Sequence, residues 1–110
     1  MTASTPEIDI EQLDHARSGG ATVVDVREVA EYAAGHIPGA SPVPMSQIAS
    51  RLGELAKECP VYVVCASGNR SAAMTDLLVA AGYDAYSVAG GTAAWARSGR
   101  ALETGALRTS

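Results

Sequence analysis

The sequence contains no phenylalanine and a single tryptophan, so valine, leucine, isoleucine and alanine must supply most of any core. Basic residues are not in excess: 8 Lys and Arg stand against 12 Asp and Glu, a net charge of -4. A nucleic-acid binder needs a basic stripe to neutralise phosphates, and this balance argues against one. A small anionic substrate stays admissible, because a local anion site can sit in an acidic protein. Long apolar runs are also missing. Val61–Ala66 and Leu77–Ala81 are far too short to cross a bilayer, and the polar stretch Met1–Glu7 has no apolar leader. The expectation is a cytoplasmic protein without a membrane partner.

Cysteine is scarce as well. Cys59 and Cys65 are the two present, and they do not form a C-x-x-C motif. If Val61–Cys65 is a strand, residues six apart lie roughly 20 Å from each other at about 3.3 Å per residue. A disulfide tolerates a Cα separation of only about 7 Å. The pair therefore cannot bridge, which excludes a two-cysteine oxidoreductase. His15 and His36 have no metal-ligand partner at useful spacing, so neither a metal nor another cofactor is expected.

What is present is a chain of 110 residues, 47% hydrophobic, enough for one domain with its own core. Strand and helix signals alternate. Asp9 with Gln12 reads as a capping box, followed by Ile10, Leu13 and Ala16 on one face and stopped by Gly19-Gly20. Ala21–Val26 is a β-branched run suited to a buried strand. Glu28–Ala34 reads as a short helix ended by Gly35, then a turn at His36–Ala40, then an irregular or edge segment at Ser41–Pro44. Ile48, Leu52 and Leu55 share a helical face, with Ser46 as N-cap. Val61–Cys65 is a second buried strand, Ser71–Ala81 a helix closed by Gly82, and Ala85–Val88 another strand. Gly90-Gly91 turns into a short helix carrying Trp95, which as a large aromatic is weighted towards core rather than the rim of a crevice. Strands separated by helices imply crossovers and a parallel sheet covered on both faces. The expectation is a three-layer α/β/α domain with a mostly parallel five-stranded sheet over residues 8–100. Residues 1–7 read as an N-terminal extension and 101–110 as a loosely ordered tail.

In such folds ligands gather at the carboxyl ends of the strands. One strand here ends in Asp25-Val26-Arg27-Glu28 and another in Cys65-Ala66-Ser67-Gly68-Asn69-Arg70-Ser71, opening onto one crevice. The loop after Cys65 is made of small residues, and Gly68 admits backbone angles that others avoid. Successive N–H groups can then curl into an anion-binding nest around the sulfur. The following helix adds the positive end of its dipole, and Arg70 a permanent charge. These effects favour the thiolate over a thiol whose ordinary pKa is about 8.5. A buried cysteine is more often a small hydrophobe; the loop, the arginine and the helix together favour a nucleophile, one whose nest would also stabilise a persulfide.

At these residues the sequence resembles the rhodanese family. Thr22–Glu28, Gly35-His36-Ile37-Pro38-Gly39-Ala40, Cys65–Ser71, and Gly90-Gly91 with Ala94-Trp95 recur there in this order and spacing, from about Ile8 to Trp95. The resemblance implies the α/β/α fold and transfer of sulfane sulfur through a persulfide on Cys65. It implies that the N–H groups of Ala66, Ser67, Gly68, Asn69, Arg70 and Ser71 cradle the transferred sulfur, with Asp25 and Arg27 bracing the crevice wall. Read locally, Asp25 could instead cap the helix near Glu28, and Arg27 could be a solvated charge. His36 reads as turn-fixing, and Cys59 as incidental. The implied partners are a small sulfur-containing anion such as thiosulfate as donor, and a thiol, a protein or cyanide as acceptor; the chain itself is expected as a monomer or weak homodimer. One departure concerns the donor. Many rhodaneses that use thiosulfate carry a basic residue directly after the cysteine, where this chain has Ala66. Two rivals are weighed. Cysteine phosphatases place five residues between Cys and Arg, whereas four separate Cys65 from Arg70. A non-turnover carrier, redox sensor or docking module differs from an enzyme in rate.

Overall fold

The computed structural model describes residues 4–105. Its centre is a wholly parallel five-stranded sheet built from β1 (Glu7–Ile8), β2 (Thr22–Asp25), β3 (Ser41–Pro42), β4 (Val61–Val64) and β5 (Ala85–Val88), in the order β1-β5-β4-β2-β3. Four α-helices connect or follow the strands: α1 (Ile10–Ser18), α2 (Val29–Ala34), α3 (Asn69–Ala80) and α4 (Gly91–Arg97).

Alternation along the strands divides the core in two. Val24, Val26, Val61, Val63, Cys65 and Ala85 face one side, where they meet Leu78 of α3 and Ile48. Val23, Val64 and Val88 face the other, against Leu13 of α1, Tyr32 of α2 and Trp95 of α4. Each central strand is thus apolar on both faces, as a covered parallel sheet requires. Residues β-branched at Cβ suit this pleated geometry, and the three-layer architecture follows.

Several local expectations are corrected. β1 pairs with β5 across the boundary expected between an extension ending at Glu7 and a domain starting at Ile8, with the Ser87 N–H donating to the Pro6 carbonyl at 2.8 Å. A two-residue edge strand has no periodicity to show; it exists because β5 offers it a backbone partner. Ser46 is not an N-cap. Met45–Glu54 is a 3-10 helix capped by Pro44 and interrupted at Arg51, whose φ and ψ of -115° and 16° are non-helical. The apolar face lies as the spacing predicts: Ile48 is buried, and Leu52 and Leu55 pack against the same cluster. The start of this segment is fixed to the sheet, through the Met45 N–H to the Val26 carbonyl at 2.9 Å. α3 begins at Asn69 rather than Ser71, so Ser71 lies inside its first turn.

The segment from Ala101 was expected to be loose. Its first five residues are docked instead: Ala101 accepts from the Trp95 indole at 2.8 Å, His36 and Glu103 exchange backbone hydrogen bonds at 2.8 Å, and the Gly105 N–H donates to Ala33 at 2.8 Å. The indole N–H of a buried tryptophan needs an acceptor, and this segment supplies it. Residues 1–3 and 106–110 lie outside the described part. Among the described residues no helix is long and apolar enough to cross a membrane.

Candidate active site

Cys65 continues the alternation of β4, so its side chain enters the layer under α3 and is only 1% exposed. The chain then turns through Ala66 and Ser67 to Gly68, which takes a left-handed conformation at φ 110° and caps α3. This turn brings the Gly68 N–H back to the Cys65 Sγ at 3.1 Å. The first turn of α3 carries Ser71 over the sulfur, with Oγ 3.5 Å from Sγ. Ser71 Oγ also lies 2.8 Å from Ser87 Oγ on β5 and 3.1 Å from the Gly68 carbonyl oxygen. Burial pushes the Cys65 thiol up, but the Ser71 hydroxyl and the N–H groups of Ser71, Gly68 and Ser67 outweigh it, and the net shift is down. The local chemistry thus favours a thiolate.

The loop is held from behind by α4. The Thr92 N–H donates to the Cys65 carbonyl and the Ala93 N–H to the Ala66 carbonyl, both at 2.9 Å. Gly91 makes that approach possible. At φ 56°, a Cβ there would overlap the Cys65 carbonyl oxygen and lie 2.9 Å from the Ala66 carbonyl carbon. Gly91 is therefore a packing requirement of the cysteine loop.

Asp25 and Arg27 are brought together beside this loop. The Arg27 guanidinium donates to both Asp25 carboxylate oxygens, from Nη2 at 2.8 Å and from Nε at 3.0 and 3.2 Å, while a further Nη2 bond at 2.7 Å reaches the Gly35 carbonyl. Arg27 is 6% exposed and Asp25 fully buried. Arg27 is thus not a solvated charge. Asp25 does not cap α2, whose N-cap is Glu28.

Arg70 keeps its charge near the loop but pairs with a neighbour that the sequence does not announce. Its guanidinium makes paired bonds of 2.8 and 2.9 Å to the Glu31 carboxylate rather than to the sulfur. Hydrogen bonding to Arg70 holds the Glu31 carboxyl at about 2, far below the usual carboxylate range, and Glu31 in turn raises Arg70. Any influence of Arg70 on Cys65 is through space and secondary to this pair. Of the other loop residues, Ser67 and Asn69 are exposed, while Ala66 and Gly68 are half-buried.

An open cleft of about 320 Å³ adjoins the loop, lined by Arg27, Glu31, Ala66, Thr92 and Leu102 among others. Trp95 is fully in the core. His36 stacks on Tyr32 with ring centroids 3.7 Å apart, and its Nδ1 lies 2.9 Å from the Tyr32 carbonyl oxygen. A carbonyl can only accept, so Nδ1 carries the proton, and His36 fixes the turn. Cys59 is exposed and remote in sequence register from the loop. Glu31, Ser87, Thr92 and Leu102 went unrecognised in the sequence. Only Ser87 left a trace there, as a polar residue on a core-facing strand position.

Comparison with known proteins agrees with this geometry. The model of the rhodanese-like domain matches residues 9–98. Thiosulfate sulfurtransferase GlpE of Pseudomonas fluorescens is 41% identical over 86 residues, covering 77% of this chain and 79% of that protein. A rhodanese-like domain protein from Staphylococcus aureus superimposes with a TM-score of 0.81 at 38% identity, covering 90% of this chain and 97% of the other. A rhodanese-related protein from Thermoplasma volcanium gives a TM-score of 0.83 at 31% identity, covering 89% and 97%. With its parallel sheet, its cysteine loop at the end of β4 and these relatives, the chain belongs to the rhodanese-like domain family.

Proposed function

We propose that this protein is a sulfurtransferase that carries sulfane sulfur as a persulfide on Cys65, taking it from thiosulfate or a related donor and passing it to a thiophilic acceptor. The observation that carries this reading is the Cys65 sulfur, which accepts from the Gly68 N–H and lies 3.5 Å from the Ser71 hydroxyl, a setting that favours its ionised form. The relatives named thiosulfate sulfurtransferase support it.

In the first half-reaction the Cys65 thiolate attacks the outer sulfur of thiosulfate. A sulfur–sulfur bond to Cys65 forms, the bond to the sulfonate sulfur breaks, and sulfite leaves with its electron pair. The persulfide anion then rests among the N–H groups of the loop from Ala66 to Ser71. In the second half-reaction cyanide, or a thiol, attacks the outer sulfur and expels the Cys65 thiolate. The product is thiocyanate or an acceptor persulfide, and the cysteine is regenerated. Such thiol chemistry belongs in a reducing compartment such as the cytoplasm.

The test is steady-state thiocyanate production from thiosulfate and cyanide, beside Cys65→Ser and a phosphatase assay. Many turnovers, lost in Cys65→Ser with the fold intact, are expected. Activity retained by that variant overturns the assignment. A persulfide that forms on Cys65 without turnover identifies a carrier or sensor instead.

A further inference from the structure

The cleft between α2 and α4 contains an arginine edge that the fold leaves unused. Arg27 is 6% exposed, and its Nε and Nη2 are spent on the Asp25 carboxylate and the Gly35 carbonyl oxygen. Nη1 has no hydrogen-bond partner among the described residues, yet it is not sealed from solvent. Arg27 lines the cleft, so the two N–H groups of Nη1 open onto it. A guanidinium carries five N–H donors in one rigid plane, and a fold that buries such a group normally occupies its donors. This edge is held in place by Asp25 and awaits an acceptor from outside the chain.

The rest of the cleft indicates what fits against it. At about 320 Å³ the space suits a small molecule. Its walls are largely apolar, with Ala34 from α2, Ala93 and Ala96 from α4, and Leu102 from the docked segment after Arg100. The carboxylate on the wall, Glu31, has both oxygens bonded to Arg70, so it does not compete for Nη1. A planar donor edge matches an oxyanion, and the alanine and leucine walls match a hydrocarbon group that inorganic anions lack. Neither Cys65 nor Arg70 lines the cleft. The site is therefore separate from the reactive sulfur, although Ala66 and Ala93 on its wall are joined by the hydrogen bond that backs the cysteine loop.

We propose that this cleft is a binding site for a small organic carboxylate with an apolar tail. The carboxylate accepts from Arg27 Nη1, and the tail lies along Leu102 and the alanines. Such an occupant rests on the back of the cysteine loop and leaves Cys65 uncovered.

The experiment titrates the full chain with phenylacetate and follows the Arg27 Nε–H and the backbone amides of Ala34, Ala93 and Ala96 by NMR. A dissociation constant of about 1–10 mM is expected for so small a ligand. Phenylacetamide keeps the ring without the charge, and acetate the charge without the ring; each should bind about tenfold more weakly or worse. Ala96→Glu sets a like charge on an exposed wall position and should weaken phenylacetate by about tenfold with the urea midpoint unchanged. Leu102→Ser should weaken it by about fivefold. Iodoacetamide should still alkylate Cys65 at an unchanged rate when the cleft is saturated. Absence of shifts at these amides, acetate or sulfate binding as tightly as phenylacetate, or a constant that neither variant moves overturns the proposal. Protection of Cys65 in step with the titration also overturns it, by placing the ligand at the sulfur.

Discussion

Ser71 has one hydroxyl proton and three polar neighbours: Cys65 Sγ, the Gly68 carbonyl and Ser87 Oγ. Ser87 Oγ has Ser71 as its side-chain partner, so its own proton is used only if Ser87 donates and Ser71 accepts. The Ser71 proton is then free to swing from the Gly68 carbonyl to the sulfur when Cys65 ionises. The carbonyl remains satisfied by the Ala72 N–H at 3.2 Å. Ser71→Ala removes a hydrogen bond to a charged group, about 1.5–3 kcal/mol, and should slow Cys65 alkylation at neutral pH by tenfold or more in order of magnitude. The rate should recover at higher pH, because the thiolate fraction does. Ser87→Ala should show the same shift in smaller measure, with Ser87→Thr restoring it; alkylation against pH in a Cys59→Ser background reads both. Arg27 gives a prediction of another kind. Arg27→Ala strands the Asp25 carboxylate in the core and should cost about 3–5 kcal/mol in urea unfolding, whereas Arg27→Ala with Asp25→Asn should recover part of it. Cys65 was legible as a nucleophile from its place between a strand and a glycine-bearing loop. The pairing of Glu31 with Arg70 was not, since nothing in the sequence links side chains 39 residues apart.

Elements were easier to read than their edges. β2 and β4 were visible because both faces of each are covered, which leaves β-branched runs that resist other readings. The helix at Met45–Glu54 showed its apolar face but not its type, since Ile48, Leu52 and Leu55 would serve an α-helix equally well. What decides is the entry from Pro44 and the hydrogen bond that ties Met45 to the sheet. The junction of α4 with the cysteine loop was half legible. Gly90-Gly91 announced a turn, but its contact with the carbonyls of Cys65 and Ala66 is tertiary. Gly91→Ala should therefore do more than stiffen a turn. A left-handed alanine costs about 1–2 kcal/mol, and its Cβ cannot coexist with the Cys65 carbonyl where it stands. The loop must move, and sulfur transfer should fall at least tenfold while circular dichroism stays near that of the wild type. Activity close to wild type would show that the loop tolerates displacement.

Over the whole molecule, ion pairs join elements that the sheet alone does not connect. Arg70 and Glu31 join α3 to α2, and Arg100 links the segment after α4 to Asp14 on α1. The covered parallel sheet could be anticipated from the alternation of elements, because crossover rules leave few arrangements; its strand order could not. These cross-links could not, because a charge on a helix surface reads the same whether solvated or paired. They nevertheless have a measurable signature. Asp14 is lowered by hydrogen bonds from Arg100 and Arg17, Glu54 by its bond from Arg51, and Glu31 to about 2 by Arg70. Each carboxyl is more acidic folded than unfolded, so the unfolded chain binds more protons and stability rises with pH through this range. The contribution is complete above the ordinary carboxylate values of about 4–4.5 and is lost as pH falls through the folded values. All three carboxylates are solvent-accessible, so screening keeps the contribution of each pair small. The urea midpoint is expected to hold steady from pH 7 to about 5 and to decline below that, most steeply in low salt, where screening is weakest. Glu31→Gln should flatten the lower end of the decline, near the Glu31 value of about 2, and leave the upper end in place. An identical acid profile in that variant would mean that the α2–α3 link carries no stability and serves only to occupy Arg70.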